Sequence, residues 1–329
     1  MIEAVVLGRV GVDFTAAEPR TSLATATSFV RAVGGFAGNI ATGLARLGIR
    51  TAVVSAVGDD GHGEHIRSAL TAEGISVEAI VTKAGRRTQV AFFEAWPPTE
   101  FPVTFHRSSP APETLLSAAD VPALLIDEAP LVIVSGALLT EEPTRSTVLS
   151  VLDGRAASRN RRAASRTVLD LDWRPTLWPD PSAYPALIAS AARACDVIIG
   201  GDAEFGAAEL RPEDAARSQD GRPAGRLVAL KHGPDGVSLL AADSRQPLGG
   251  IAVDVVCGLG SGDALTAAFT AGLLRGLEPL GALERGNAAG AIVASRLLCS
   301  SAMPRADEID ATLARSGARV RADPTRMAR

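Results

Sequence analysis

Three glycines spaced two residues apart precede an aspartate in the segment "CGLGSGDA", and an alanine-rich helical pattern follows. Gly258, Gly260 and Gly262 permit left-handed backbone conformations, which can turn successive N–H groups toward one point. A helix predicted from about Asp263 to Gly276 adds the partial positive charge of its N-terminus there. This arrangement favours an anion, most naturally a phosphoryl group during transfer. The segment alone leaves open whether Asp263 acts on that group or only caps the helix.

Two other nucleotide-binding motifs are excluded. A dinucleotide-binding G-x-G-x-x-G belongs to an early strand–helix turn and needs its third glycine where Asp263 stands. The sequence contains no G-x-x-x-x-G-K-[ST] segment, which excludes a Walker-type nucleotide site.

A second group of polar residues lies near the N-terminus. Asp13 ends the segment "GRVGVD", and "VGGFAGN" contains Gly34, Gly35 and Asn39 in a tight loop that opens a helix. A carboxylate and an amide together accept and donate hydrogen bonds, which suits a polyhydroxylated ligand. An Asx-turn for Asp13 and a helix cap for Asn39 are equally compatible with the sequence.

Two arginines and one glycine-containing loop complete the candidate site. Arg174 follows a predicted strand in "DLDWRP", and Arg107 ends "VTFHR". A guanidinium group can hold a carboxylate or phosphate through two parallel hydrogen bonds. The loop "KHGPDG", which begins at Lys231, is suited to lie along nucleotide phosphates.

Strands and helices alternate along the sequence, and this alternation predicts the fold. Repeated strand–helix units favour a doubly wound, mainly parallel sheet with helices on both faces. Ligands of such sheets bind beyond the carboxyl ends of the strands. Helical patterns cover 38–48 and 61–74. The predicted strands are 4–10, 51–58, 131–137, 167–173, 196–201 and 226–233.

Two regions interrupt this alternation and predict a smaller sheet. Residues 12–33 and 80–107 contain "QVAFFEAW" and "VTFHR", separated by the turn "PPTEF". We expect these strands to form a lid over the edge of the main sheet. The apolar segment "VAFFEAW" predicts a homodimer in which two lids pack together. Residues 153–166 and 211–225 are expected to be surface connections.

Composition narrows the class of protein. The 329 residues are 47% hydrophobic and carry a net charge of −4. A negative net charge does not favour binding to nucleic acid or to an anionic membrane. Three widely spaced cysteines argue against a disulfide framework and favour a reducing compartment. The first residues resemble no signal peptide, and no apolar run is long enough to span a membrane. We therefore expect a cytoplasmic protein.

The order of the motifs resembles the PfkB family, the ribokinase-like sugar kinases. Gly8 and Asp13 are followed by "GGFAGN", "GDDGHG", "HGPDG" and "GLGSGDA" in the family's order over nearly the whole chain. The resemblance implies one kinase domain over 1–329, with a β-sheet lid. It also implies transfer of the γ-phosphoryl group of ATP to a sugar hydroxyl with Mg²⁺.

The resemblance assigns roles to individual positions. Asp263 matches the catalytic base, and Glu204 matches a glutamate that organises Mg²⁺ through water. The anion-hole positions are Gly260, Ser261 and Gly262. Substrate-binding positions are Asp13, Gly34, Gly35, Asn39, Arg107 and Arg174. Nucleotide-binding positions are Lys231, Gly233, Gly236 and Asn287.

The sequence departs from the family pattern at two positions. Cys257 replaces the usual Asp or Asn before the glycine-rich loop, which removes the usual ligand of a monovalent-cation site. The N-x-x-E motif appears as G-D-A-E, with Gly201 in place of asparagine. These replacements keep open a non-catalytic ligand-binding protein on a kinase scaffold. Asp263 argues against that alternative, because a binder has no need of the base.

Within the family, "GRVGVD", "DLDWRPTLW" and "GAIVASRLLCSSAMP" resemble the kinases of 5-dehydro-2-deoxygluconate in inositol catabolism. The pattern D-x-D-x-R-x-x-L-W also resembles kinases of 2-keto-3-deoxygluconate, in which arginines matching Arg107 and Arg174 hold the acid sugar. Both substrates are six-carbon deoxy keto-acids. A nucleoside kinase is disfavoured, because the two arginines indicate an anionic substrate.

Overall fold

Strands and helices alternate along the chain in the computed structural model, which describes residues 1–158, 165–217 and 226–322. The strands are β1 (Ala4–Leu7), β2 (Gly11–Ala16), β3 (Phe29–Gly34), β4 (Thr51–Gly58), β5 (Ile80–Lys83), β6 (Val90–Phe93), β7 (Val103–His106), β8 (Leu131–Ser135), β9 (Arg166–Asp170), β10 (Val197–Gly201), β11 (Leu227–Lys231), β12 (Gly236–Ala241) and β13 (Ser244–Gly249). The helices are α1 (Phe36–Arg46), α2 (Gly61–Ala72), α3 (Ala123–Glu128), α4 (Thr144–Ser158), α5 (Tyr184–Ala194), α6 (Asp202–Ala207), α7 (Pro212–Ala216), α8 (Ser261–Leu274), α9 (Pro279–Ala294) and α10 (Ala306–Ala322).

Nine of the described strands form one large sheet in the order β13-β12-β11-β10-β9-β8-β1-β4-β5. From β5 to β11 every neighbouring pair is parallel, and β12 and β13 add an antiparallel hairpin at one edge. The six predicted strands all belong to this sheet. The predicted doubly wound, mainly parallel architecture is therefore confirmed.

Helices cover both faces of the large sheet, because its strands are apolar on both sides. One face packs Val6, Ile133 and Ile199 against α1, α2, α8 and α9. The opposite face packs Val132 and Leu169 against α3, α4, α5 and α7. The carboxyl ends of the parallel strands are thereby held together at one edge of the core.

The smaller sheet has four strands in the order β3-β2-β6-β7. It uses residues from both predicted lid regions, and a bridge between Trp96 and Glu100 closes the turn between β6 and β7. One part of the prediction differs: residues Ile80–Lys83 form β5, which pairs with β4 in the large sheet. The lid strands of the second region therefore begin at Val90.

Residues 159–164 and 218–225, which belong to the two predicted surface connections, lie outside the described residues. In the part of the chain that the structure describes, every helix is too short or too polar to cross a membrane.

Candidate active site

The glycine-rich segment forms the entry to α8. Gly260 is the N-cap of this helix and has a φ of 80°, a left-handed conformation that strongly favours glycine. Ser261 Oγ donates a hydrogen bond to the Gly258 carbonyl at 2.7 Å, which fixes the turn. The Ser261 N–H lies 3.4 Å from the Gly258 carbonyl. The N–H groups of Gly262 and Asp263 have no acceptor within the helix, so they can receive an anion. This local geometry is compatible with the predicted anion hole, and the role of the turn stays a prediction.

Asp263 lies in the first turn of α8, but no side chain caps this helix. Its Oδ2 instead accepts a hydrogen bond of 2.7 Å from Asn39 Nδ2. Burial raises the pKa of Asp263 to about 6, with the nearby Asp172 charge in support; the Asn39 hydrogen bond, Arg174 and Lys231 oppose the shift. The capping alternative is therefore not what the structure shows. A carboxylate with this pKa is suited to accept a proton near neutral pH.

Asn39 lies inside α1, whose N-cap is Gly35, so the amide does not cap the helix. Asn39 is 5% exposed. The Oδ1 atom has no hydrogen-bond partner among the described residues, although it is buried. An unsatisfied buried acceptor is costly unless a ligand completes it. Asn39 thus orients Asp263 with one end of its amide and offers an acceptor to a ligand with the other.

Asp13 lies within β2 rather than in an Asx-turn, and it is buried. Burial raises its pKa to about 7; the Asp263 charge adds to this shift and Arg9 opposes it. A Cβ atom on Gly34 would lie 2.0 Å from the Asp13 carboxyl group, so only glycine fits beside it. The sequence-predicted residues Asp13, Gly34, Gly35, Asn39 and Asp263 therefore meet in one place.

Arg174 is held next to this group through Asp172. Its Nε lies 3.3 Å from Asp172 Oδ1, while Arg9 Nη2 and Ser135 Oγ donate to Asp172 Oδ2 at 3.0 and 2.7 Å. Burial alone would raise the pKa of Asp172, but Arg9 and Arg174 hold it below its ordinary value. The Arg174 side chain is 49% exposed, so its outer nitrogens remain available to a ligand.

Arg107 is placed differently. Its Nη2 donates to Glu113 Oε1 at 2.9 Å, and the residue lines a cavity of about 790 Å³ together with Arg31 and Arg87. Within the described residues, no hydrogen bond or ion pair joins Arg107 to Asp13, Asn39 or Asp263. Its role in substrate binding stays a prediction.

A cavity of about 620 Å³ opens beside the anion hole. Asn287 donates from Nδ2 to the Gly249 carbonyl at 2.9 Å in its wall, and the wall also contains the apolar residues Ile251 to Val253. The lid reaches this cavity as well, because the Phe101 ring lies 3.0 Å from the Cβ position of Gly258. Of the predicted residues, Lys231, Gly233, Gly236, Ser261, Gly262 and Asn287 line it.

Glu204 is already engaged within the protein. Its Oε2 accepts from the Gly201 N–H at 2.6 Å, and its Oε1 accepts from the Trp173 N–H at 3.2 Å. No group of three or more His, Cys, Asp or Glu side chains among the described residues could hold a metal ion. A magnesium ion that enters with nucleotide phosphates keeps several waters, so contact with Glu204 through water fits this arrangement. Asp202, the other acid of the motif, is hydrogen-bonded to His232 Nδ1 at 2.8 Å.

Cys257 is buried just before the glycine-rich turn. Burial raises the pKa of its thiol above the ordinary value, so sulfur remains protonated at neutral pH. A neutral thiol is a poor ligand for a hard monovalent cation.

Sequence reasoning missed several residues of this site. Arg9 and Asp172 were visible in "GRVGVD" and "DLDWRP", but their pairing across 163 residues was not. Phe101 lies in the "PPTEF" segment, which was interpreted only as a turn. Thr266 Oγ1 donates to the buried Asp170 Oδ2 at 2.7 Å. Asp170 opens "DLDWRP", but its partner was not evident from the sequence, and no motif marked Thr266.

Comparison with known proteins extends over most of the chain. A 5-dehydro-2-deoxygluconokinase of Clostridium tetani is 31% identical over 316 residues, covering 94% of this chain and 91% of that protein. A protein of the same name from Photobacterium profundum is 33% identical over 314 residues, covering 92% of each. The chain is thus similar to these kinases along almost its entire length.

Solved structures share the fold. An uncharacterized sugar kinase from Pyrococcus horikoshii in complex with ATP has a TM-score of 0.79 at 22% identity, covering 95% of this chain and 99% of that one. A fructokinase from Vibrio cholerae O395 bound to fructose, ADP and calcium has a TM-score of 0.80 at 21% identity, covering 95% and 99%. The ribokinase-like fold is therefore confirmed.

The pfkB family carbohydrate kinase model matches residues 1–306. This match includes the glycine-rich turn, Asp263, Arg107, Arg174 and the cavity of about 620 Å³ described above. The chain belongs to the PfkB family of carbohydrate kinases and is a phosphotransferase that acts on a sugar.

Proposed function

We propose that this sugar kinase transfers the γ-phosphoryl group of ATP to a hydroxyl of a keto-deoxy sugar acid, with 5-dehydro-2-deoxygluconate as the first candidate. The observation that carries the proposal is the Asn39–Asp263 hydrogen bond of 2.7 Å at the entry to α8. It sets a carboxylate with a pKa of about 6 beside N–H groups that can receive a phosphoryl group. The relatives named 5-dehydro-2-deoxygluconokinase support the substrate.

In the proposed mechanism the sugar lies between Asp13, Asn39 and the lid, with its reacting hydroxyl at Asp263. The hydroxyl oxygen attacks the γ-phosphorus, and the bond from that phosphorus to the bridging oxygen of ADP breaks. Asp263 accepts the hydroxyl proton. The backbone N–H groups of 260–263 stabilise the charge on the transferring group, so positioning and electrostatics provide the catalysis.

Magnesium would supply positive charge to the ATP phosphates when bound, with Glu204 as its nearest predicted contact through water. The apolar wall from Ile251 to Val253 and the Asn287 side chain would enclose the adenine end of the nucleotide. Lys231, Gly233 and Gly236 would lie along the phosphates.

The acid group of the substrate would bind Arg174. This guanidinium is anchored at one nitrogen by Asp172 and is 49% exposed, so it can add a carboxylate without losing its own partner. Arg107 is proposed as a second contact. A 2-keto-3-deoxygluconate substrate fits the same arginines, whereas a nucleoside does not use them.

The test is a coupled assay of ADP release with 5-dehydro-2-deoxygluconate, 2-keto-3-deoxygluconate, fructose, ribose and a nucleoside. We expect the highest kcat/KM with one of the two keto-deoxy acids. A higher value with an uncharged sugar would refute the acid-sugar proposal. Binding of a sugar acid without transfer to any acceptor would favour the non-catalytic alternative, for which Gly201 and Cys257 are the motivating replacements.

The assembly and location of the enzyme belong to the same proposal. Phe14, Phe29 and Phe92 form an aromatic cluster with His106 on one face of the lid, and Phe92 stays half-buried. We propose that two lids pair through this face in a cytoplasmic homodimer. Sedimentation of a Phe92→Asp variant as a dimer would contradict this.

A further inference from the structure

Lys231 extends its side chain from the predicted nucleotide loop toward the first turn of α8. It is the last residue of β11, and its side chain is 19% exposed. Its Nζ lies 3.4 Å from the Cβ position of Gly262, in the first turn of α8. The ammonium group is therefore beside the first turn of α8, at the proposed anion hole.

Two carboxylates hold this ammonium group in place. Lys231 Nζ lies 3.3 Å from Glu204 Oε2 and 3.6 Å from Asp170 Oδ1. Burial alone would lower the pKa of Lys231, but Asp170, Glu204 and Asp263 raise it, so the group stays charged. An ammonium group has three N–H donors. Two point toward these carboxylates, which leaves one for a ligand in the anion hole.

Asp170 connects the lysine to the helix that carries the base. It is 3% exposed at the end of β9. Its Oδ2 accepts the 2.7 Å hydrogen bond from Thr266, which follows Asp263 by one helical turn on α8. Asp170 therefore links the position of Lys231 to that of Asp263, although Asp170 itself lines neither of the cavities described above.

We propose that Lys231 is a catalytic residue whose ammonium group binds the phosphoryl group during its transfer, and that Asp170 is the positioning residue that holds the ammonium group at the anion hole. This inference rests on the proposed phosphoryl transfer and adds a side-chain cation to the backbone N–H groups. A cation aimed at developing charge acts mainly in the transition state. Lys231 should therefore affect kcat more than nucleotide affinity.

The chain provides a matched control, because its only other lysine is Lys83. Lys83 lies in β5 and pairs with Asp120 at 2.8 Å, away from the site. We expect Lys231→Met to lower kcat by about 10²–10³-fold, as for loss of one oxyanion-hole donor, with the KM for ATP little changed. Lys231→Arg should recover part of kcat, and Lys83→Met should match the wild type. A raised KM for ATP with unchanged kcat would overturn the inference.

A second readout requires neither turnover nor a known sugar. Protein labelled with ¹³C at the lysine ε-carbons gives two signals, which Lys83→Met assigns. We expect the Lys231 signal to shift when aluminium fluoride is added to the ADP and magnesium complex, while the Lys83 signal stays in place. A Lys231 signal that moves no further than with ADP alone overturns the inference. Inactivity of the wild type on every sugar acid would instead refute the proposed substrate and leave this measurement decisive.

A double-mutant cycle tests the role of Asp170. Asp170→Asn keeps the shape of the side chain and removes its charge. We expect a loss of kcat of about tenfold with unchanged KM for ATP, and no further loss in the Lys231→Met background. Equal losses of kcat in both backgrounds would show that Asp170 does not act through Lys231.

Discussion

Substitution of Asp263 by asparagine should remove activity and, at the same time, stabilise the protein. The asparagine has nearly the same shape but cannot accept the hydroxyl proton. Loss of a general base lowers kcat by about 10²–10⁴-fold. We expect a loss in this range, with little change in the KM for ATP, because Asp263 does not line the nucleotide cavity.

The stability gain follows from the cost of keeping this carboxylate charged. Its pKa rises from 3.8 to about 6 on folding, chiefly because of burial. The native state therefore binds the proton more tightly than the unfolded state, and stability falls as the pH rises from about 4 to about 6. A shift of this size lowers the free energy of unfolding by about 3 kcal/mol at pH values above that range. The asparagine variant avoids this cost.

Unfolding of both proteins should be followed by calorimetry at pH 4.5 and pH 8. For a chain of this length, 3 kcal/mol corresponds to about 4 °C in Tm. We expect Asp263→Asn to raise Tm by about that amount at pH 8 and much less at pH 4.5. A variant that is less stable at pH 8, or equally stabilised at both pH values, would refute burial of a charged carboxylate as the source. Activity within a few-fold of wild type would refute the assignment of the base.

Three further predictions concern other residues of the candidate site. The value of kcat/KM should rise with pH through an apparent pKa near 6. Asn39→Ala should raise this apparent pKa by about one pH unit, because a charge-assisted hydrogen bond to Asp263 is lost; an unchanged apparent pKa would contradict the role of Asn39. Arg174→Met should raise the KM for a sugar acid by about 10–100-fold and change the KM for an uncharged analogue little; equal increases would exclude a carboxylate contact. Arg107→Met should raise the KM for the sugar acid less, because Glu113 already accepts a hydrogen bond from its Nη2. Gly34→Ala should destabilise the protein by about 1–3 kcal/mol in chemical denaturation, because its Cβ would lie 2.0 Å from the Asp13 carboxyl group. Gly281→Ala in α9, with open space around it, is the control and should stabilise the protein by about 0.5–1 kcal/mol.

The large sheet was predictable because most of its strands have a distinctive local pattern. Val53 and Val54 in β4, or Ile198 and Ile199 in β10, belong to continuous apolar runs that only a sheet covered on both faces can bury. The hairpin of β12 and β13 was not predicted, since β13 is largely exposed and carries no such run. Residues Ile80–Lys83 were placed in the wrong sheet, because a short strand does not reveal its neighbour.

The candidate site was predictable where a glycine pattern marks a turn, and less so where a buried polar residue finds a partner far away in the chain. "GLGSGD" and "GGFAGN" each indicate a loop before a helix, and Asn39 and Asp263 follow these loops. Asp170 and Thr266 carry no such mark. Their hydrogen bond joins β9 to α8 across 96 residues, and only the packing of the helix on the sheet brings them together.

The four-stranded lid also bears on how products leave. Its strand β2 carries Asp13 beside Asp263, the proposed base, and the turn between β6 and β7 brings Phe101 against Gly258 at the proposed nucleotide cavity. The proposed sugar site and the proposed nucleotide cavity are therefore both covered by the same small sheet. Displacement of this sheet from the large one would free the sugar phosphate and ADP in a single opening event, so that one motion, rather than two separate gates, governs their departure.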